Sequence, residues 1–348
     1  MRIGNKEIGA NAPPFVVAEM SGNHNGSLES ALRLISEAKA SGADAVKLQT
    51  YRADTITINS GRDEFMIKDG LWKGRTLYEL YDWAHTPWEW HRQLFNYANE
   101  LGVILFSSPF DATAVDLLED LNAPAYKIAS FELVDLPLIR YAASTKKPLI
   151  MSTGMANEEE IAEAVEIARE AGNQSIALLH CVSGYPAKSS DYNLNIIPDI
   201  IKRYGVVTGL SDHTLDDVTA IVSVALGARI IEKHFTLDRS GNGPDDAFSI
   251  EPAELRALCD GVRSAWEALG VVDYGLKSSE KGNVMYRRSL YFVKDLCAGD
   301  VITADSVRSI RPGFGVSPKY LDRIVGMTVL VDCPAGNPVT PNVLSSVL

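Results

Sequence analysis

The chain has 348 residues, of which 46% are hydrophobic, 33 are Lys or Arg and 45 are Asp or Glu, giving a formal net charge of −12. This length accommodates one large domain and a small one. The acidic balance argues against nucleic acid as a partner, because binding a phosphate backbone needs clustered Lys and Arg. It does not exclude a small anionic substrate, since a few lysines inside one pocket can reverse the local potential.

The sequence carries no signal for membrane insertion or export. No apolar run reaches the length of a membrane span, and the N-terminal MRIGNKEIGANAPP lacks the apolar core of a signal peptide. The four cysteines are scattered and form no CxxC pair, which argues against a zinc ribbon or a disulfide framework. We therefore expect a protein of the reducing cytoplasm with no membrane partner.

Short apolar, β-branched runs alternate with helical patterns over the first 270 residues. The runs are 15–20, 45–50, 103–109, 125–130, 148–153, 176–181, 206–212 and 229–235. They lack an alternation of polar and apolar residues, as expected of strands buried on both faces of a parallel sheet. Eight such strands predict a (β/α)8 barrel of the α/β class, with an open doubly wound sheet as the alternative. No Gly-rich phosphate fingerprint follows the first run, which disfavours dinucleotide binding.

Three of the intervening segments have helical patterns with recognisable ends. Apolar residues form one stripe in 28–41, and Gly42 follows as a C-terminal stop. An Asn and a Glu resemble a capping box at the start of 157–171, and a Pro begins 252–269.

The connection between the second run and the helix near residue 88 is unusually long and rich in aromatic residues. A loop of that length in a compact domain is usually functional. The loops that follow barrel strands open onto the catalytic face, so we expect this connection to shape the substrate pocket.

The character of the chain changes after residue 270. VVDYGLKSSEKGNV is typical of a linker, and the remainder is rich in Val, Pro and Gly with short strand-like pieces. The sequence therefore predicts a barrel domain over 1–270, a linker over 271–284 and a small, mainly β domain over 285–348.

Polar side chains end most of the eight apolar runs. The carboxyl ends of barrel strands converge on the active site, and Lys, Glu and His are costly to bury without a partner or a ligand. The residues at these ends are Glu19, Lys47, Gln49, Ser108, Lys127, Ser130, Ser152, His180, Ser183, Ser211, Asp212, His213, Glu232 and His234.

Two of these lysines with several hydroxyls predict an anion site, since Lys acts as a point charge for phosphate or carboxylate. His213 and His234 end adjacent strands, so both imidazoles can reach one metal ion with positions left for water and substrate. They can equally be hydrogen-bonded core histidines, and the residues alone leave this open.

At these same positions the sequence resembles the sialic acid synthase family over nearly the whole chain. The resemblance is carried by AEMSGNHNGS, AVKLQTY, FSSPFD, YKIASFE, MSTGM, GLSDHT, ALGARIIEKHF and GPDDAFS, with RSIRPGFG in the tail. GLWKGRTLYELYDWAHTPWEWH, YKIASFE and RRSLY are more similar to the pseudaminic acid branch than to the N-acetylneuraminate branch. A departure from the latter branch is Ser183, which stands where that branch has Asn.

The resemblance implies a TIM barrel followed by an antifreeze-like SAF domain that, in this family, reaches across a swapped homodimer to the partner's barrel. It implies condensation of phosphoenolpyruvate with the open-chain aldehyde of an acylated amino sugar, which releases phosphate and a nonulosonic acid. In the pseudaminic acid branch the sugar is 2,4-diacetamido-2,4,6-trideoxy-L-altrose.

The resemblance also implies a divalent metal, Mn²⁺ with Mg²⁺ or Co²⁺ as alternatives, held by His213 and His234. The implied catalytic residues are Glu19, Glu132, His213 and His234. Those implied to hold phosphoenolpyruvate are Lys47, Ser108, Lys127, Ser130, Ser152, Ser183 and Ser211. Those implied to bind the sugar are Gln49, Tyr185, Asp245 and, from the tail domain of the partner subunit, Arg311.

Alternatives of three kinds remain. The first is the same chemistry on N-acetylmannosamine or on the legionaminic acid precursor. The second is a non-catalytic sugar-binding or ice-binding protein, which the antifreeze-like tail suggests. The third is an aldolase that forms a Schiff base at Lys127 or Lys47.

Overall fold

Eight parallel strands form a closed barrel in the first of two units of this computed structural model, which describes residues 1–347. The first unit spans Met1–Gly270, and the second begins at Val271. An antiparallel pair, β1 (Arg2–Ile3) and β2 (Lys6–Glu7), precedes the barrel. The barrel strands are β3 (Phe15–Glu19), β4 (Ala45–Thr50), β5 (Ile104–Pro109), β6 (Tyr126–Ile128), β7 (Leu149–Ser152), β8 (Ile176–Cys181), β9 (Val207–Asp212) and β10 (Ile230–His234).

Each barrel strand pairs with the next one along the chain, and β10 closes the barrel by pairing with β3. Helices connect the strands, as parallel pairing requires. The helices of this unit are α1 (Leu28–Ala40), α2 (Ala53–Ile56), α3 (Leu77–Ala84), α4 (His91–Leu101), α5 (Ala112–Asp120), α6 (Leu136–Ser144), α7 (Glu158–Glu170), α8 (Ile196–Tyr204), α9 (Val218–Ala225) and α10 (Pro252–Leu269). The predicted (β/α)8 barrel is confirmed, and the open sheet is excluded.

The ends of the helices follow from local sequence. Gly42 follows Ser41, the C-terminal cap of α1, and has a φ of 97°, a left-handed conformation that glycine adopts without steric cost. Asn157 caps α7, and Glu160 bonds back to the amide of Asn157, which completes the predicted capping box.

Alternate residues of each strand face the barrel interior and the helices. Apolar side chains fill the amino-terminal end of the interior and are joined there by two isoleucines from the β1–β2 hairpin. These residues are Ile3, Ile8, Phe15, Val17, Phe106, Ile150 and Leu179. Nearer the carboxyl ends of the strands, the inward-facing residues are polar. The alternation of side chains along each strand therefore places a cluster of polar groups above an apolar layer inside the barrel.

The long connection after β4 is folded. It contains α2 and α3 and two short 3-10 turns, Asp63–Phe65 and Trp88–Trp90. The indole N–H of Trp72 donates a 2.8 Å hydrogen bond to the carbonyl of Pro244, in the loop after β10. The connection therefore reaches the loop that carries Asp245, in agreement with the expectation that it shapes the pocket.

The second unit has its own small core. An antiparallel pair, β11 (Ser289–Phe292) and β12 (Val307–Ile310), is joined by isolated bridges and a short helix, α11 (Leu321–Ile324). Part of the segment predicted as a linker forms an exposed 3-10 helix, Ser278–Tyr286. No helix among residues 1–347 is both long enough and apolar enough to cross a membrane.

Candidate active site

Two buried lysines and two buried glutamates meet at the carboxyl end of the barrel. The ammonium group of Lys47, on β4, lies 2.8 Å from Oε2 of Glu19 on β3 and 3.6 Å from Oε1 of Glu232 on β10. The ammonium group of Lys127, on β6, lies 3.0 Å from that same oxygen of Glu232. Glu232 is thus the common partner of both lysines across the barrel.

The pKa values of these groups reflect burial opposed by pairing. Burial disfavours the ammonium form of Lys47, but the carboxylates of Glu19 and Glu232 raise its pKa above the ordinary value. Burial lowers the pKa of Lys127 despite its contact with Glu232. Burial likewise favours the neutral acid of Glu232, yet the two lysines lower the pKa of its carboxyl group. Burial and the nearby Glu232 raise the pKa of Glu19, against the effect of Lys47.

Hydroxyl groups surround the lysines. Ser108 accepts a 3.3 Å hydrogen bond from Lys47, and Ser211 donates a 3.3 Å hydrogen bond to Glu232. The hydroxyl of Ser152 is buried and has no hydrogen-bond partner among residues 1–347. Because an unpaired buried hydroxyl is costly, it is suited to bonding a ligand.

Two further predicted serines flank a glycine in the loop after β7. The amide of Gly154 donates a 3.1 Å hydrogen bond to the hydroxyl of Ser130. A Cβ atom at Gly154 would lie 2.3 Å from the hydroxyl oxygen of Ser183 and 2.7 Å from that of Ser130. Only glycine lets the backbone approach both hydroxyls, so Gly154 belongs to this polar wall although its residue type carries no chemistry.

His213 and His234 lie side by side, with their ring centroids 5.3 Å apart. Nδ1 of His213 lies 2.8 Å from the carbonyl oxygen of Val182, and since a carbonyl only accepts, Nδ1 carries a proton and the lone pair of the neutral ring is on Nε2. Nδ1 of His234 is buried without a hydrogen-bond partner among the described residues. Two imidazoles with nitrogen atoms available for bonding fit a divalent metal.

A metal ion bound to these two imidazoles would need further ligands that the described protein side chains do not supply. No group of three or more His, Cys, Asp or Glu within residues 1–347 has the arrangement of a metal site. The two imidazoles would therefore share a bound ion with water or substrate, as open catalytic sites do.

Aromatic rings and one carboxylate border the imidazoles. The ring of Tyr185 lies 4.5 Å from that of His213 and 5.2 Å from that of Phe248, and the ring of Trp72 lies 6.2 Å from Tyr185. Burial raises the pKa of Asp245 to about 6, and its Oδ2 atom lies 3.7 Å from Nδ1 of His234. This end of the site offers apolar faces together with hydrogen-bond acceptors.

Glu132 lies in a 3-10 turn directly after β6, Ser130–Glu132. Its Oε2 atom is buried without a hydrogen-bond partner within the described range. Burial raises the pKa of Glu132 to about 7, although Lys127 and Lys47 oppose the shift. A carboxyl group with this pKa can both accept and donate a proton near neutral pH.

Arg311 belongs to the second unit, where it is exposed and directly follows β12. All other predicted site residues lie in the first unit, at the carboxyl ends of its strands or in the loops that follow them.

Three residues at strand ends turn away from the site. His180 faces the helices, where its Nε2 atom contacts the carbonyl of Tyr192, so its placement at the site is wrong. Asp212 and Lys233 form a 2.7 Å ion pair on the outer side of the barrel. The sequence analysis placed His180 and Asp212 at the site, whereas strand alternation directs the neighbour of each inward-facing residue outward.

Cys181 takes the inward position beside His180. Its sulfur lies 4.0 Å from Nδ1 of His213 and 4.0 Å from the hydroxyl of Ser183. Alternate residues of a strand face the same side, so Cys181 faces the barrel interior like Ala177 and Leu179, and the sequence could have shown this.

Residues 34–274 match the NeuB family, and residues 287–344 match the SAF domain. A pseudaminic acid synthase of Campylobacter jejuni is 43% identical over 337 residues, which cover 97% of this chain and 98% of that protein. A pseudaminic acid synthase of Helicobacter pylori is 42% identical, over 94% of this chain and 97% of the relative. An N,N'-diacetyllegionaminic acid synthase of Legionella pneumophila is 35% identical, over 96% of this chain and 95% of that protein.

Solved structures agree with this grouping. The spore coat polysaccharide biosynthesis protein spsE of Bacillus subtilis is 32% identical with a TM-score of 0.68, over 99% of each chain. The N-acetylneuraminic acid synthetase of Leptospira borgpetersenii, solved in complex with citrate, is 32% identical with a TM-score of 0.73, over 82% of this chain and 94% of that one. The matched residues, the shared barrel and these identities confirm the resemblance seen in the sequence, and the chain belongs to the NeuB family.

Proposed function

We propose that the protein condenses phosphoenolpyruvate with 2,4-diacetamido-2,4,6-trideoxy-L-altrose and releases pseudaminic acid and phosphate. The observation that carries this proposal is the buried pair of lysines beside two imidazoles at the carboxyl end of the barrel. Its choice of sugar is supported by relatives named pseudaminic acid synthase at 42% to 44% identity over nearly the full length.

The lysines suit an anionic substrate. Lys47 and Lys127 are both paired with Glu232, and a bound phosphate or carboxylate would replace or share those contacts at short range. The hydroxyls of Ser108, Ser130, Ser152, Ser183 and Ser211 supply hydrogen bonds around the same position. Burial makes each of these interactions stronger than it would be in water.

His213 and His234 would hold the metal, which we propose to be Mn²⁺ with Mg²⁺ or Co²⁺ as alternatives. Such an ion supplies Lewis acidity towards the aldehyde oxygen of the sugar. Hydrogen bonding of His213 to Val182 fixes the orientation of its ring, which keeps Nε2 directed away from the backbone.

The carboxyl groups would handle charge and protons. A bond forms between C3 of phosphoenolpyruvate and the aldehyde carbon, whose oxygen gains a proton, and C2 becomes electron-poor. Glu19 lies beside Lys47 and can stabilise this positive character. Water adds at C2 and gives up its proton, for which Glu132 has a suitable pKa of about 7. The new hydroxyl at C2 then becomes the ketone of the product as the bond between C2 and the phosphate oxygen breaks. Of the two protons that the water brings, one ends on the aldehyde oxygen and one leaves with the phosphate.

Gln49, Tyr185 and Asp245 would bind the sugar, with Arg311 contributed by the tail of the partner subunit in a swapped homodimer. The family resemblance supports this assembly. We also propose that the reaction takes place in the cytoplasm, which four free cysteines support, since a reducing compartment keeps thiols unpaired.

A panel of sugars tests the function. Purified protein loaded with Mn²⁺ is incubated with phosphoenolpyruvate and one of three sugars, and phosphate release is measured. We expect turnover with the pseudaminic acid precursor and at least about tenfold less with N-acetylmannosamine or the legionaminic acid precursor. A preference for either of the latter would contradict the sugar assignment, and no release with any of the three would contradict the enzymatic proposal.

Two further measurements separate the mechanisms. EDTA is expected to abolish turnover and Mn²⁺ to restore it. Borohydride is expected to trap no adduct at Lys127 or Lys47, because the proposed mechanism forms no Schiff base. A trapped adduct with activity that survives EDTA would instead establish an aldolase.

A further inference from the structure

Ser21 combines an unfavourable backbone conformation with a fully bonded side chain. It is buried in the loop after β3, and its φ of 47° lies in the left-handed region, where non-glycine residues are uncommon. Its hydroxyl donates to Oδ2 of Asp245 and accepts a 3.0 Å hydrogen bond from the side-chain amide of Gln49. Glycine would adopt this backbone without strain, so the two hydrogen bonds of the hydroxyl are what serine adds at this position.

The hydroxyl of Ser21 determines which way the Gln49 amide points. The Nε2 group of Gln49 also donates a 2.8 Å hydrogen bond to Oε1 of Glu19, a carboxylate that is paired with Lys47. Because both hydrogens of Nε2 are directed towards Glu19 and Ser21, the carbonyl oxygen Oε1 of Gln49 faces the other way. No described residue donates to that oxygen, which is therefore available to a ligand as an acceptor.

The loop that carries Asp245 is held from two sides. Trp72 donates a 2.8 Å hydrogen bond to the carbonyl of Pro244, the residue before Asp245. Gly22, the residue after Ser21, packs closely against this loop. A Cβ atom on Gly22 would lie 2.5 Å from the side chain of Pro244 and 2.9 Å from the carbonyl oxygen of Ala84. Three loops, those after β3, β4 and β10, thus interlock next to the hydroxyl of Ser21.

We propose that Ser21 is a positioning residue that fixes Gln49 and Asp245 as two hydrogen-bond acceptors for the N–H and O–H groups of an acylated amino sugar. This inference rests on the proposed function and extends it to the recognition of the sugar. Asp245 lies 3.7 Å from His234, so the acceptors border the imidazoles at which the aldehyde would react. A sugar that lacks the matching donors leaves two acceptors unpaired, which costs far more than a lost apolar contact.

Two substitutions separate the hydroxyl from the backbone strain. Ser21→Ala removes the hydroxyl and keeps the strain, whereas Ser21→Gly removes both. The control Ser240→Ala deletes a serine–aspartate hydrogen bond of the same kind, to Asp238, at an exposed position in the loop after β10. We expect both Ser21 variants to raise KM for the sugar by about tenfold or more, with KM for phosphoenolpyruvate within about twofold of the parent.

Stability distinguishes positioning from a merely structural role. Ser21→Gly is expected to melt at or above the temperature of the parent protein, because the left-handed strain is relieved, and still to lose sugar affinity. Ser240→Ala is expected to match the parent in both KM values. A parental KM for the sugar in Ser21→Gly would overturn the proposal, as would an equal rise of both KM values.

A crystal structure of Ser21→Gly tests the positioning without any reaction. We expect the Gln49 amide or the Asp245 carboxylate to depart from its parental position by more than about 0.5 Å, the tolerance of a preorganised site. Both groups remaining in place would overturn the inference. If the parent protein released no phosphate with any sugar, the proposed function and the sugar assignment would fall, while this structure would still decide whether Ser21 positions the two side chains.

Discussion

Glu232 occupies the position between the two lysines that a substrate anion would also seek. Its Oε1 atom is bonded to Lys127 and near Lys47, while its Oε2 atom is buried without a hydrogen-bond partner within the described residues. The carboxylates of Glu19 and Glu232 therefore balance the charges of the two lysines. An arriving anion must compete with Glu232 for the same ammonium groups, which couples anion binding to the stability of the barrel.

Glu232→Gln is the residue-scale test of that coupling. Removing one charge of a buried network is strongly destabilising, so we expect a lower melting temperature in buffer. Added inorganic phosphate should raise the melting temperature of the variant more than that of the parent, since its lysines lack their carboxylate partner. The control Glu158→Gln breaks an exposed pair with Arg203 and should leave the phosphate response unchanged. Equal responses in Glu232→Gln and the parent would contradict the competition.

Glu132 is expected to make the stability of the protein depend on pH. Its folded-state pKa of about 7 exceeds the ordinary value of 4.5, so the unfolded chain loses this proton first as pH rises. Stability conferred by the protonated group is complete below pH 4.5 and is lost as pH rises through about 7. Glu132→Gln has no carboxyl group to titrate and does not lose this stability. The free energy of unfolding of the variant, measured with urea and taken relative to that of the parent, should therefore be about 2–3 kcal/mol higher at pH 8 than at pH 4.5. An unchanged difference between the two pH values would show that the carboxyl group titrates normally.

At the scale of elements, the loops after the strands place the chemistry, and glycine sets how closely they approach. The loop after β7 brings the backbone of Gly154 between the hydroxyls of Ser130 and Ser183. The strands beneath these loops pack together through an apolar core formed by their inward side chains. Small changes in a loop backbone therefore displace hydroxyls without disturbing the barrel.

Gly154→Ala tests this arrangement. Its Cβ atom would fall 2.3 Å from the hydroxyl oxygen of Ser183, so one or both serines must move. We expect KM for phosphoenolpyruvate to rise by about tenfold or more, with far-ultraviolet circular dichroism unchanged. Gly184→Ala is the matched control, because its Cβ atom would meet its nearest neighbours at 3.6 Å, an ordinary contact. Equal kinetics in the two variants would remove Gly154 from the site.

At the scale of the whole molecule, the chain has two units with separate cores, and each unit carries residues predicted for the site. The barrel carries every predicted residue except Arg311, which lies in the SAF unit. In the proposed swapped homodimer, each site combines the barrel of one protomer with the tail of its partner. In such a dimer, activity would be a property of the pair of chains.

Mixing two inactive variants tests the swap. Lys127→Ala disables the barrel, and Arg311→Ala disables the tail. Random dimers formed by coexpression would contain one complete site in each mixed dimer, so activity should recover to about a quarter of the parental value. The two variants expressed separately and mixed without subunit exchange provide the control. Coexpressed dimers without recovered activity would show that Arg311 serves the site of its own chain.

The barrel, its eight strands and most of the polar side chains at their ends were predictable from the amino-acid sequence. Buried parallel strands are readable because their apolar runs are local in sequence, and family motifs span the chain. The interlocking of Ser21, Gln49 and Asp245, the approach of Gly154 to two hydroxyls and the outward turn of His180 were decided by tertiary structure. Such relations join residues far apart in the chain, or depend on which face of a strand a side chain occupies. Residue type alone carries neither distance nor direction, and the closed barrel supplies both.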